Sequence, residues 1–241
     1  MSSNQEPRRR FLRQMLAVVP AASVTTGGAL TQAACSKPSP PGDTPVAGAY
    51  RPDYFTADEW QFLQAAVDRL IPADSHGAGA LAAGVPEYID RQMETPYGYG
   101  KLWYTQGPFH TDQPAEMGFQ LNLAPRDVFR LGIRACDAHC RARFAGKPFA
   151  QLAQHEQETV LGQMEHAQIG FESVPAQTFF AFLLAHAKEG FFADPIYGGN
   201  KDMVGWKMIG FTGARADFAD WIDQPGVKYP YGPVSIDGRR G

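Results

Sequence analysis

Apolar residues recur along this chain with a helical period. Trp60, Leu63 and Val67 share one face of a segment that stops before Pro72. Thr56 and Glu59 precede that run as a capping box, each side chain placed to satisfy a free backbone N–H of the first turn. Val85-Pro86 opens a short helix through Tyr88, Ile89 and Met93, with Pro86 in the first turn, where a missing N–H is tolerated. Pro125 opens the longest helix, through Val128, Leu131, Ile133, Cys136 and Cys140 to Phe144, with Gly146 ending it. Phe149 and Leu152 mark a short turn. A polar helix over 155–164 carries Val160 and Leu161. Val174-Pro175 then opens Thr178-Phe-Phe-Ala-Phe-Leu-Leu184, apolar on nearly all sides and therefore central to the core. No segment shows sustained strand alternation or the rhythm of a βαβ unit. The pattern predicts an all-α fold of five or six helices with long shaped loops.

Two loops stand out. Residues 95–124 carry Tyr97, Tyr99, Trp103, Tyr104 and Phe109, and a loop of that length is usually functional or disordered; its rings favour one that packs on itself. The second stretch, Glu189-Gly-Phe-Phe-Ala-Asp-Pro-Ile-Tyr-Gly-Gly-Asn-Lys-Asp202, reads as a helix end followed by a tight turn. Asp194-Pro195 and Gly198-Gly199-Asn200 permit positive φ and close backbone approach. Such a segment caps a core or docks on another protein, and its local pattern does not choose between the two.

The N-terminus is read separately from the fold. Arg8 and Arg9, followed by Phe11-Leu12 and Arg13, have the order of a twin-arginine export signal. The weakly apolar run from Met15 to Leu30 is too short for the ~20 residues that span a bilayer, and Pro20 and Gly27-Gly28 interrupt it. Residues 1–34 are taken as the signal, 35–53 as a Pro/Gly/Ser linker and 54–241 as the helical domain. Cys35 is a candidate lipidation site, although Gln32 stands where an aliphatic residue is expected. The expected location is periplasmic.

Composition narrows the function. Four arginines and Glu6 lie in the first 34 residues, so the remainder of the 22 basic and 25 acidic residues leaves a net charge of −6. With that balance and no basic stripe, nucleic-acid binding is not expected. Aromatic content of 12% argues for a packed domain. Cys136 and Cys140 lie one turn apart on one helix face, which reads as two small buried residues; Cys140 is also a candidate for an intermolecular thiol pair. His139 beside them lacks a second ligand cluster for a metal site. There is no Cys-x-x-Cys-His, His-Glu-x-x-His, Gly-x-Ser-x-Gly, phosphate-cradling Gly-Lys-Ser/Thr loop or dinucleotide fingerprint. Asp74 with His76, and Glu189 with Asp194, are the acid–base pairs the sequence offers, and neither is distinctive.

Ala65-Ala-Val-Asp-Arg-Leu-Ile-Pro72, Gly84-Val-Pro-Glu-Tyr-Ile-Asp90, Gly107-Pro-Phe109, the block Glu189–Asn200 and Gly205-Trp-Lys207 together resemble the gluconate 2-dehydrogenase subunit 3 family. The resemblance runs from about Phe55 to about Gly213. It implies a noncatalytic small subunit, without a cofactor of its own, that supports maturation and twin-arginine (Tat) export of a partner. The implied partners are a large FAD-containing dehydrogenase subunit and a multihaem cytochrome c subunit, with the Tat translocase as export machinery. No catalytic or cofactor-binding residue is carried over. Phe191, Phe192, Tyr197 and Trp206 are the candidate interface with the large subunit; the competing reading places Phe191 and Phe192 in this chain's own core. A stand-alone exported enzyme and a lipid-anchored periplasmic scaffold are the alternatives.

Replacing Arg8 and Arg9 together by Lys keeps the charge and removes the planar guanidinium forks. The double variant is expected to remain in the cytoplasm. Fractionation that finds its periplasmic yield unchanged would refute the export reading.

Overall fold

A computed structural model describes residues 50–103, 106–110, 113 and 117–241. Arg8, Arg9, Phe11, Leu12 and Cys35 lie outside the described residues. Six α-helices follow in order: α1 Ala57–Leu70, α2 Val85–Met93, α3 Pro125–Arg143, α4 Gln154–Glu165, α5 Ala176–Phe192 and α6 Val204–Ile209. Single 3-10 turns at Phe149–Gln151, Pro195–Tyr197 and Lys201–Met203, and a longer one at Ala216–Trp221, link or follow them. Among the described residues there are isolated β-bridges but no strand. The fold is all-α, as the periodicity predicts.

The expected caps are present. Thr56 Oγ1 accepts the Glu59 N–H at 3.4 Å, and the Glu59 carboxylate accepts the Thr56 N–H at 2.9 Å. Asp127 and Glu156 reach back in the same way to the N–H groups of Ala124 and Ala153, where the first residue has no hydroxyl to complete the box. α3 ends at Arg143, and Gly146 adopts φ 83° beyond it.

α5 is the hub. It packs against α1, α2, α3, α4 and α6. Phe179, Leu183, Ala187 and Phe191 are buried along it, with Phe62, Phe129 and Phe149 of neighbouring elements closing around them. Each fully buried apolar side chain of this size contributes about 1.5–3 kcal/mol by leaving water. α3 approaches α5 so closely that a Cβ on Gly132 would lie 2.2 Å from the Phe179 ring. The helix is longer than its apolar run suggests, continuing through Glu189 to Phe192. It also keeps a narrow exposed stripe: Gln177, Ala181, Ala185, Lys188 and Phe192.

The aromatic loop packs partly on itself and partly on this hub. Tyr97 meets Trp103 at 5.6 Å and Trp103 meets Phe119 at 4.8 Å, while both Trp103 and Phe119 contact Phe182 of α5. Beneath it lies buried His186, whose Nδ1 is 2.7 Å from the Phe182 carbonyl and whose Nε2 has no hydrogen-bond partner among the described residues. Burial lowers its pKa, which keeps the ring neutral among Tyr97, Phe129 and Phe182.

Asp90 on α2 ties the entry segment to the body. Its fully buried carboxylate accepts the Tyr50 hydroxyl at 2.7 Å and the backbone N–H groups of Asp53, Tyr54 and Phe55 at 2.8, 3.1 and 3.0 Å. The chain is therefore fastened to the helical body from Tyr50 onward. Tyr54 then lies between the guanidinium groups of Arg126 and Arg130, 4.5 and 4.1 Å from its ring centre. Asp90→Ala strands several buried donors at once and is expected to destabilise the domain by about 3 kcal/mol or more. Asp90→Asn, which keeps an acceptor, should cost less. Chemical denaturation checks both, and an Asp90→Ala midpoint close to the parent's would remove this carboxylate from the account of stability.

Candidate functional site

The distinctive block from Glu189 to Lys207 is, first, the cap of the hub helix. The last carbonyls of a helix have no intrahelical donor and need one from elsewhere. Trp206 Nε1 donates to the Phe192 carbonyl at 2.7 Å. Asn200 Nδ2 donates to the Ala193 carbonyl at 2.9 Å, and its Oδ1 accepts the Gly205 N–H at 2.8 Å. Asn200 is fully buried and sits at φ 45°, a left-handed conformation that Asn tolerates. The turn folds back so tightly that a Cβ on Gly199 would lie 2.2 Å from the Gly190 carbonyl oxygen, and one on Gly205 would lie 2.2 Å from that of Phe191. Side chains larger than hydrogen are excluded at both positions.

Asp194 organises the other side of the turn. Its Oδ1 accepts the Ile196 N–H at 3.1 Å and the Ser235 hydroxyl at 2.6 Å; its Oδ2 accepts the Ile236 N–H at 2.8 Å. Residues far along the chain are thereby fixed against the turn. Val234 reinforces them by accepting the Ala214 N–H and donating to the Thr212 carbonyl. The turn is also tied to α2 and to the residues just before it: Lys201 donates its N–H to the Ala83 carbonyl, and its ammonium meets the α2 carboxylate of Glu87 at 2.5 Å, which Arg91 shares at 2.5 Å.

This geometry divides the four candidate interface rings. Phe191 and Trp206 are 2% and 5% exposed and belong to the interior, so they back the surface and do not form it. The reason is the cap: Trp206 must turn inward to reach the Phe192 carbonyl. Phe192 and Tyr197 are 41% and 49% exposed. They rim an open cleft of about 500 Å³, with Tyr88, Gln92, Glu189, Ala193 and Asp194 as the other lining residues. Phe211, which packs on Trp206 at 5.1 Å, and Ile236 are exposed as well. The turn thus both caps a core and presents apolar surface.

The remaining candidates resolve into structure. Cys136 and Cys140 are fully buried and are not joined in a disulfide. The expectation that Cys140 is free to pair with another chain is corrected: its helix face is turned wholly into the core. The hydrogen bond to Cys140, and then burial, push the Cys136 thiol well above its usual range, which makes it inert. Among the described residues no cluster of three or more His, Cys, Asp or Glu is placed to hold a metal. Asp74 and His76 form an exposed turn in which the carboxylate accepts the His76 N–H at 2.7 Å; that bond holds the Asp74 carboxyl below its ordinary value. Glu189 and Asp194 share a cleft, but Asp194 already accepts three hydrogen bonds and is committed to them.

Asp194→Ala removes the acceptor for three donors and is expected to release the segment around Ser235 and Ile236 while leaving the helices intact. Hydrogen exchange at the Ile236 amide should accelerate by about tenfold or more, equivalent to the ~1.4 kcal/mol or more of one charge-assisted bond. Unchanged protection there would show that the segment is held by its other contacts.

No curated protein and no solved structure shows significant similarity to the chain. A family model, Gluconate 2-dehydrogenase subunit 3, matches residues 57–213, which contain α1 to α6, the cap and the Asp194–Asn200 turn. The chain belongs to the gluconate 2-dehydrogenase subunit 3 family.

Proposed function

We propose that this protein is the noncatalytic small subunit of a periplasmic, membrane-associated FAD-dependent sugar or sugar-acid dehydrogenase, and that it supports maturation and Tat export of the flavoprotein subunit. Membership of a subunit family implies a complex with other dehydrogenase subunits. The observation that carries the finer reading is the division of the Glu189–Lys207 block. Asp194, Asn200 and Trp206 are committed to holding the chain's own backbone. What the block offers to the outside is a face bearing the rings of Phe192 and Tyr197 beside the exposed carboxylate of Glu189. Aromatic residues on a fixed backbone are the usual centres of protein interfaces.

Arg8 and Arg9 supply the export half of the proposal. A folded-state export route suits a small subunit that leaves together with a partner loaded with FAD in the cytoplasm. The multihaem cytochrome c subunit completes the complex and passes electrons to the membrane. In this reading, FAD and haem c reside in those partners.

Omitting this chain from co-expression should sharply reduce periplasmic activity of the flavoprotein subunit. Tyr197→Ala should leave the melting temperature of the isolated subunit nearly unchanged, because the ring is half exposed. It should weaken association with the flavoprotein by about 2 kcal/mol, the cost typical of truncating an interface aromatic. Co-purification and calorimetry read the two effects separately. Early melting of the variant, or normal partner binding, would make the turn purely structural.

A further inference from the structure

This chain repeatedly builds one three-part unit from a tyrosine, a carboxylate and an arginine. In the most complete example, the Tyr99 hydroxyl donates to Glu94 at 3.0 Å, Arg126 lies 4.0 Å from the Tyr99 ring centre, and the same guanidinium reaches Glu94 at 3.3 Å. A second unit joins Arg130 to the Tyr54 ring at 4.1 Å and to Glu59 at 3.1 Å. A third places Arg91 5.7 Å from the Tyr50 ring centre and 2.5 Å from Glu87. A planar guanidinium suits this arrangement because it stacks on a ring while its edge meets a carboxylate.

The cleft beside the cap repeats two of the three parts. The Tyr88 hydroxyl donates toward Glu189 at 3.5 Å, and Phe192 and Tyr197 stand at the rim as exposed rings. Among the described residues no Lys or Arg pairs with Glu189. The nearby cations Arg91 and Lys201 are both held by Glu87. The carboxylate's field instead falls on Tyr88, Tyr97 and His186, none of which neutralises it. Gln92 adds a polar group to the same wall.

We infer that the cleft formed by Tyr88, Gln92, Glu189, Phe192 and Tyr197 receives an arginine side chain of the flavoprotein subunit. The inference rests on the small-subunit reading and gives that docking face its chemistry. Glu189 supplies the charge, and the rim rings supply the stacking surface and exclude water as the partner closes over them. An ion pair gains strength on such desolvation, provided both partners are present.

The experiment uses the full chain co-expressed with its flavoprotein subunit and measures the dissociation constant of the purified complex at low and high salt. Glu189→Gln should weaken association roughly 10- to 100-fold and flatten its salt dependence. Glu189→Lys should weaken it further by placing like charges in contact. Both variants should melt close to the parent, because Glu189 is exposed and, among the described residues, makes one long side-chain hydrogen bond. Tyr197→Ala is run alongside. If Tyr197→Ala weakens association while both Glu189 variants bind as the parent does, the docking face stands and the arginine site is overturned. If none of the three changes association, the face itself lies elsewhere and the site falls with it. A Glu189→Gln variant that melts much earlier would also overturn the proposal, by making the carboxylate structural.

Discussion

A helix that is apolar over most of its circumference has to be enclosed, and its end has to be closed as well. Both demands fall on α5. The first is met by α1 to α4, which surround Phe179, Leu183, Ala187 and Phe191. The second is harder, because the carbonyls at the C-terminal end emerge among buried side chains where water is scarce. Here the closure is made by side chains from the following turn: the indole of Trp206 and the amide of Asn200. The turn must therefore double back within a few residues. That reversal accounts for the close approaches at Gly199 and Gly205 and for the left-handed backbone at Asn200, Asp202 and Met203. Such conformations each cost about 1–3 kcal/mol outside glycine and persist only where the surroundings fix them.

What the sequence makes legible is what local chemistry determines. The capping box of α1, the prolines that open α2 and α3, and the central place of α5 all follow from short-range pattern. What escapes it is long-range. Asp90 is separated from the backbone it holds by more than thirty positions, and Asp194 from Ser235 by 41. No periodicity marks an aspartate as a clamp, and both look like ordinary polar residues at the edge of an apolar run. The same limit applies to Phe191 and Phe192. They are neighbours of identical composition, and only the direction of the helix face sends one inward and the other to the rim. Nothing local to Trp206 shows that its N–H reaches the Phe192 carbonyl, which is what turns it inward.

The distribution of polar side chains shows where the buried charge of this molecule is spent. Three buried carboxylates are saturated: Asp90 by four donors, Asp194 by three and Glu87 by two cations. The buried thiols point into the core, and His186 faces aromatic rings. Rigidity of this kind suits a surface that must keep its shape while a second protein is placed against it, since less ordering remains to oppose association.

The Asp194 clamp also has a meaning in time. During synthesis the hub helix and its capping turn emerge well before Ser235 and Ile236, which complete the clamp. Until translation has passed those positions, Asp194 holds only its local bond to Ile196, and the strained backbone just beyond it lacks its outer brace. The turn that carries Tyr197 is thus fully braced only once those later residues exist. The residues of all six helices are synthesised before the two that complete the brace of the turn.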